Sequence, residues 1–178
     1  IERITAQSVQ AQHAHLAHFQ GELALRSWRG EPGNRTRDIG GIAWIRAAEW
    51  LPYQRRSFVT PAFPGFVSGH STFSRAAAEV LAALTGSAFF PGGLAEFVAE
   101  KDRYLQFERG PASSVRLQWA TYYDAADQAG QSRLWGGIHI QPDDFIGRRV
   151  GSRVGLLALE QARPYFDGTR TLRTRGAR

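Results

Sequence analysis

The chain has 178 residues, 43% of them hydrophobic and 21% charged, which describes a globular chain of one domain or part of a larger one and excludes a disordered polyelectrolyte. It has no cysteine, so disulfides, thiolate metal sites and cysteine nucleophiles are excluded. All but one of its 22 basic residues are arginine, the exception being Lys101, and the formal charge is +6. The arginines are scattered from Arg3 to Arg178 without a dense helical stripe, so no nucleic-acid partner is expected.

Residues 1–27 read as helical with a break at Gly21. Residues 28–69 read as a long aromatic loop, punctuated by glycine and proline and pinned by Trp28, Trp44, Trp50, Tyr53, Phe58, Phe63 and Phe66. Phe73, Ala77, Val80, Leu81 and Leu84 make one apolar face of a helix over 71–85, with Gly86 as its cap. A short helix is expected over 94–106 and a long one over about 113–130. A final helix runs from about Asp143 to Ala162, with an apolar stripe of Ile146, Val150, Val154 and Leu157. Gly147, Gly151 and Gly155 lie four apart on its adjacent face. Each glycine costs about 1 kcal/mol against alanine in a helix, so three in register imply close contact with another backbone. That contact lies within the chain or between chains, and a homodimer is one expectation. No strand-like alternation is visible, and the expected class is an all-α helical bundle with long ordered loops. No stretch reaches the roughly 20 apolar residues of a membrane span, and no signal peptide is visible, so a soluble protein is expected, with its compartment, cell or exterior, open.

Two segments carry chemistry. Ser68-Gly69-His70-Ser71 stands where the aromatic loop meets a helix start. A helix N-terminus offers unpaired N–H groups to an anion, Gly69 allows close approach, Ser68 adds a hydroxyl and His70 a titratable group. In Ser132-Arg133-Leu134-Trp135-Gly136-Gly137-Ile138-His139-Ile140-Gln141-Pro142-Asp143, a Gly-Gly turn can fold His139 back beside Arg133. Asp143, four residues on, can accept the histidine's second N–H and fix its tautomer. Such a group suits a nucleophilic histidine or a histidine that ligates a metal oxyanion. His13, His15 and His18 also cluster, but they read as a solvated helix face.

Together the two segments resemble the second and third signatures of the type-2 phosphatidic acid phosphatase and vanadium haloperoxidase superfamily, with Val67 where the second signature usually has proline. The context from Thr60 to Phe73, and that of Ser132 to His139, is similar to the soluble bacterial haloperoxidase branch, and the resemblance covers about residues 21–166. It implies a bundle domain over 1–166 and a basic tail over 167–178. It implies vanadate as cofactor, and hydrogen peroxide and halide as substrates converted to hypohalous acid. His139 would be the vanadium ligand, oriented by Asp143. Arg133, Ser68 and Gly69 would neutralise the oxyanion, His70 would be the acid–base group, and Phe63 would influence halide preference. The alternatives are a phosphatase of the same superfamily that uses His139 as a phosphohistidine, and an inactive helical binding domain. The superfamily's first signature, a lysine followed six residues later by Arg-Pro, is missing. The only Arg-Pro is Arg163-Pro164, and Lys101 reads as a surface residue. With no methionine anywhere and Ile1 first, the chain is expected to be the C-terminal portion of a longer enzyme.

Overall fold

A computed structural model describes residues 2–53, 63–106 and 108–170. The expectations that involve Phe58, the segment from Thr60 to Ala62 and the tail beyond Arg170 lie outside the described residues. The elements in chain order are β1 (Glu2–Arg3), α1 (Ala6–Ala11), a 3₁₀ helix (Ala14–Phe19), β2 (Leu23–Trp28), β3 (Ile42–Arg46), a second 3₁₀ turn (Ala47–Glu49), α2 (Gly69–Thr85), β4 (Ala95–Ala99), β5 (Val115–Trp119), α3 (Tyr122–Trp135) and α4 (Gln141–Phe166). The chain divides into two compact units. One comprises residues 1–62, 97–117 and 135–137, and the other 63–96, 118–134 and 138–178.

The first unit departs from the all-α expectation. Its order β1-β2-β3 is an antiparallel sheet, with Leu25 opposite Ile45 and Arg26 opposite Trp44. The helix expected over 1–27 is therefore reduced to the six residues of α1 and the 3₁₀ helix, between the strands β1 and β2. Thr5 and Ser8 form a reciprocal capping box that starts α1, and the chain turns out of this region at Gly21, whose φ of +91° suits glycine. In Leu23–Trp28, Ala24 and Trp28 are buried on one face, while Arg26 between them is exposed. Ile4, Leu16, Phe19 and Ala24 make the core, with Val9 and Trp44 against it. The long loop also holds β3, and it is pinned by a buried carboxylate. Glu108 accepts the Trp28 indole N–H at 2.8 Å and the Gly41 N–H at 2.9 Å.

The expectation over 94–106 fails, and that over 113–130 holds only from Tyr122, for a related reason. Phe97, Val98, Val115 and Trp119 are residues that favour strands, and they sit in the two-stranded sheet of β4 and β5. The helical period read through Val115 and Trp119 merges that strand with the helix after it, which begins only at Tyr122.

The second unit is the helical one. Ala78, Tyr122 and Ala126 pack α2 against α3, with Ala82, Phe90 and Tyr123 around them. α2 and α4 meet along the glycine stripe. A Cβ on Gly147 would stand 2.9 Å from the Ser68 carbonyl oxygen, one on Gly155 would stand 2.5 Å from that of Ala76, and one on Gly151 would overlap that of Thr72. The two backbones therefore approach as the stripe requires, within the chain. It is the glycine face that is buried; Val150, Val154 and Leu157 of the neighbouring apolar stripe are exposed, as are Phe73, Leu81 and Leu84 of α2.

Gly151→Ala tests this packing. Alanine favours the helix by about 1 kcal/mol, but here its methyl meets a backbone carbonyl that cannot rotate away. The expected result is a net loss of about 1–3 kcal/mol in thermal or denaturant unfolding, whereas a helix glycine facing open solvent would gain stability from the same change.

Candidate oxyanion site

The ends of three helices carry the candidate residues, all within the second unit. Ser68 is the N-cap of α2; its side-chain oxygen accepts the Ser71 N–H, and its carbonyl accepts the Thr72 N–H at 3.0 Å and hydroxyl at 2.8 Å. Ser68 is fully buried. Because its oxygen only accepts in the cap, its own O–H proton remains available to a ligand. A Cβ on Gly69 would meet nothing within 4 Å, so the backbone there borders open space.

Arg133 lies in the last turn of α3, and its carbonyl accepts both the Ile138 N–H at 3.0 Å and the His139 N–H at 3.4 Å. Those two bonds, with Gly137 at a φ of +68°, close the Gly-Gly turn and bring His139 back toward Arg133. His139 is buried, and its Nδ1 lies 3.1 Å from Asp143 Oδ2. With Nδ1 as donor, Nε2 keeps its lone pair for a ligand or an electrophile. Asp143 also accepts the Ile140 N–H at 3.4 Å at the start of α4, and its carbonyl accepts the Ser68 N–H at 3.1 Å. Phe63 lies with its ring 5.6 Å from that of His139.

Electrostatics mark the same place. Desolvation by burial lowers the Arg133 titration from its ordinary value, and Arg133 Nε is buried with no hydrogen-bond partner among the described residues. A buried guanidinium donor without an acceptor is costly unless an anion completes it. The His70 ring is solvent-exposed on one side, yet its titration is lowered, first by desolvation and then by the charges of Arg133 and His139. It is therefore neutral at pH 7. The arrangement joins a half-buried arginine with a buried Nε, a serine hydroxyl, an open helix N-terminus and two histidines, which is a donor set that suits a tetrahedral oxyanion.

A family model described as the VCPO second helical-bundle domain matches residues 14–168. The chain belongs to that family. Two solved structures of bacterial vanadium-dependent chloroperoxidase share the fold of this family member. The holo form has 21% identity over 84% of this chain and a TM-score of 0.62, and the apo form 22% over 93% and 0.65. The chain spans 29% and 36% of the length of those two proteins. No curated protein matches.

The family's helical unit also contains residues that the motifs do not single out. Asp144, almost fully buried, accepts the Ser71 hydroxyl at 2.6 Å and the Arg148 Nε–H and Nη2–H at 2.9 and 2.7 Å. Arg148 reaches on to the Asp127 carboxylate at 2.9 Å and carbonyl at 3.2 Å, and Arg75 meets the same carboxylate at 2.8 Å. Higher along the helices, Glu79 accepts the Tyr123 and Ser152 hydroxyls at 2.7 and 2.6 Å. The sequence holds a faint signal for the first of these, since Asp144 and Arg148 are an i, i+4 pair; the other partners are tertiary. Lys101, by contrast, is exposed, as its sequence context suggests.

Two measurements check these electrostatics. Burial opposes the Asp144 charge, but hydrogen bonds from Arg148 and Ser71 and the charges of Arg148 and Arg75 outweigh it and hold the carboxyl below its ordinary 3.8. A depressed folded value stabilises the native state above the unfolded one and is lost as pH falls through the folded one. Asp144→Asn should therefore cost about 3 kcal/mol at neutral pH, the low end for a broken buried pair because Arg148 retains Asp127. It should also flatten the part of the stability curve that falls below pH 3.8. Separately, ring NMR of His70 should show a midpoint under its ordinary 6.5 that rises in Arg133→Ala but stops short of 6.5, because desolvation, the larger cause, remains.

Proposed function

We propose that this chain carries the vanadate site of a haloperoxidase that oxidises halide with hydrogen peroxide to hypohalous acid. The observation that carries the reading is Arg133, whose buried and unpartnered Nε lies at the helix end that returns His139 to it. His139 Nε2 would hold the vanadium of vanadate, with Asp143 on Nδ1 keeping the ring in the tautomer that leaves Nε2 a lone pair. Arg133, the Ser68 hydroxyl and the Gly69 N–H would neutralise the oxyanion oxygens. Vanadate, when bound, supplies a Lewis acid that polarises the peroxide substrate without a change of oxidation state. His70, neutral at pH 7, takes a proton from entering peroxide and returns it to the departing oxygen. Phe63, whose ring lies beside that of His139, would influence which halide approaches.

The same donors suit phosphate, for which His139 would be the nucleophile. No helix among the described residues is long and apolar enough to cross a membrane, so nothing there matches a membrane-embedded phosphatase. Vanadate separates the two readings, because it activates a haloperoxidase and inhibits a phosphatase.

Among the described residues Arg133 is the one arginine assigned to the oxyanion, and the chain's single lysine, Lys101, is exposed. Each missing cationic donor forfeits roughly 1.5–3 kcal/mol, so vanadate binding is expected to be weaker than micromolar. Titration with orthovanadate, followed by calorimetry and by the ring signals of His70 and His139, should show this weak binding. It should vanish in His139→Ala and in Arg133→Ala. Undiminished binding in either variant would rule the assignment out. In the peroxide assay, halide oxidation should rise with added vanadate.

A further inference from the structure

The site residues lie on the ends of α2, α3 and α4, and their mutual placement needs something that ties those ends together. Ser71 provides the link from α2. Its N–H donates to the Ser68 side chain, and its fully buried hydroxyl donates to Asp144 at 2.6 Å. Asp144 follows Asp143, so neighbouring carboxylates in the first turn of α4 serve two tasks. The Asp143 carboxylate holds the His139 ring while its backbone carbonyl accepts the Ser68 N–H, and the Asp144 carboxylate holds Ser71. The link to α3 runs through Gly130, three residues before Arg133. A Cβ there would overlap Asp144 Oδ1 and stand 2.8 Å from Ser71 Oγ. Arg148 closes the arrangement by joining Asp144 to Asp127 of α3.

We infer that the Ser71–Asp144 hydrogen bond, seated against Gly130, is a positioning device that sets the α2 start against the starts and ends of α4 and α3, and thereby sets oxyanion affinity without touching the oxyanion. The inference rests on the oxyanion reading of the site. A buried charge-assisted bond of this length fixes geometry tightly, and groups that hold site residues in place from behind are worth about tenfold to a hundredfold in affinity. The Glu79 cluster, which joins the same three helices farther from the site, provides the comparison. It links the helices in the same way but at Tyr123, Glu79 and Ser152, away from the helix ends that carry the site residues.

The test uses the full chain, orthovanadate as probe and ring NMR of His70 and His139, which reads weak as well as tight binding. Ser71→Ala should weaken vanadate binding by about tenfold or more. Glu79→Gln should lower the unfolding temperature and leave the dissociation constant within about twofold of the unaltered chain, well short of the positioning effect. Equal affinity in Ser71→Ala and the unaltered chain would overturn the positioning role, as would an equal loss in Glu79→Gln, which would mean general loosening. If Ser71→Ala fails to fold, Gly130→Ser reads the same contact from the α3 side and should also weaken binding; full affinity there overturns the role. Absence of any vanadate response in the unaltered chain refutes the oxyanion reading first, and the positioning role with it.

Discussion

Close approach of two helix backbones is the constraint on which the helical unit depends. Where α4 crosses α2, Gly147, Gly151 and Gly155 have no side chain to hold the helices apart, and the carbonyls of Ser68, Thr72 and Ala76 come to rest against them. A small-residue contact of this kind gives little apolar burial. Its value is geometric, since a methyl group anywhere along it would move the α2 start away from His139 and Asp143. Gly147 sits directly on the Ser68 carbonyl, so the packing contact and the candidate site share a residue.

Short distance between helices also concentrates charge. Asp144, Arg148, Asp127 and Arg75 are brought together between α2, α3 and α4, and their bonds offset the cost of burying them. The site is the opposite case. Arg133 is desolvated and its Nε has no acceptor among the described residues, and the His70 titration is lowered by burial and by the charges of Arg133 and His139. In the paired cluster most donors have acceptors, although the Arg75 Nε, like that of Arg133, is buried with no partner among the described residues.

Much of the site was legible because its parts are local. Ser68, Gly69 and His70 are consecutive, and a helix cap is a property of one turn. The turn from Arg133 to His139 and the four-residue step to Asp143 are likewise short-range, and their hydrogen bonds fall where the spacing places them. The glycine period of α4 announced a backbone contact correctly, since only close approach compensates three helix glycines. The sheets were not legible. β1 and β2 are antiparallel partners about 20 residues apart, and β2 and β3 a similar distance again; Ala24 and Leu25 favour helices in isolation and become strand residues by pairing. The apolar stripe of α4 misled in another way, because hydrophobicity alone does not tell which of two adjacent faces a helix buries.

The sequence by itself determined the local chemistry: which residues cap α2, which turn returns His139, and which carboxylate holds it, along with the family that these signatures indicate. These depend on bonds within a few residues, and backbone sterics decide them. Tertiary structure alone decided that α2 is the partner of the glycine stripe, that Ser71 and Asp144 meet across 73 positions of chain, and that a sheet accompanies the helices. Each of those requires loop closure between distant segments, and its outcome depends on what else competes for the same faces.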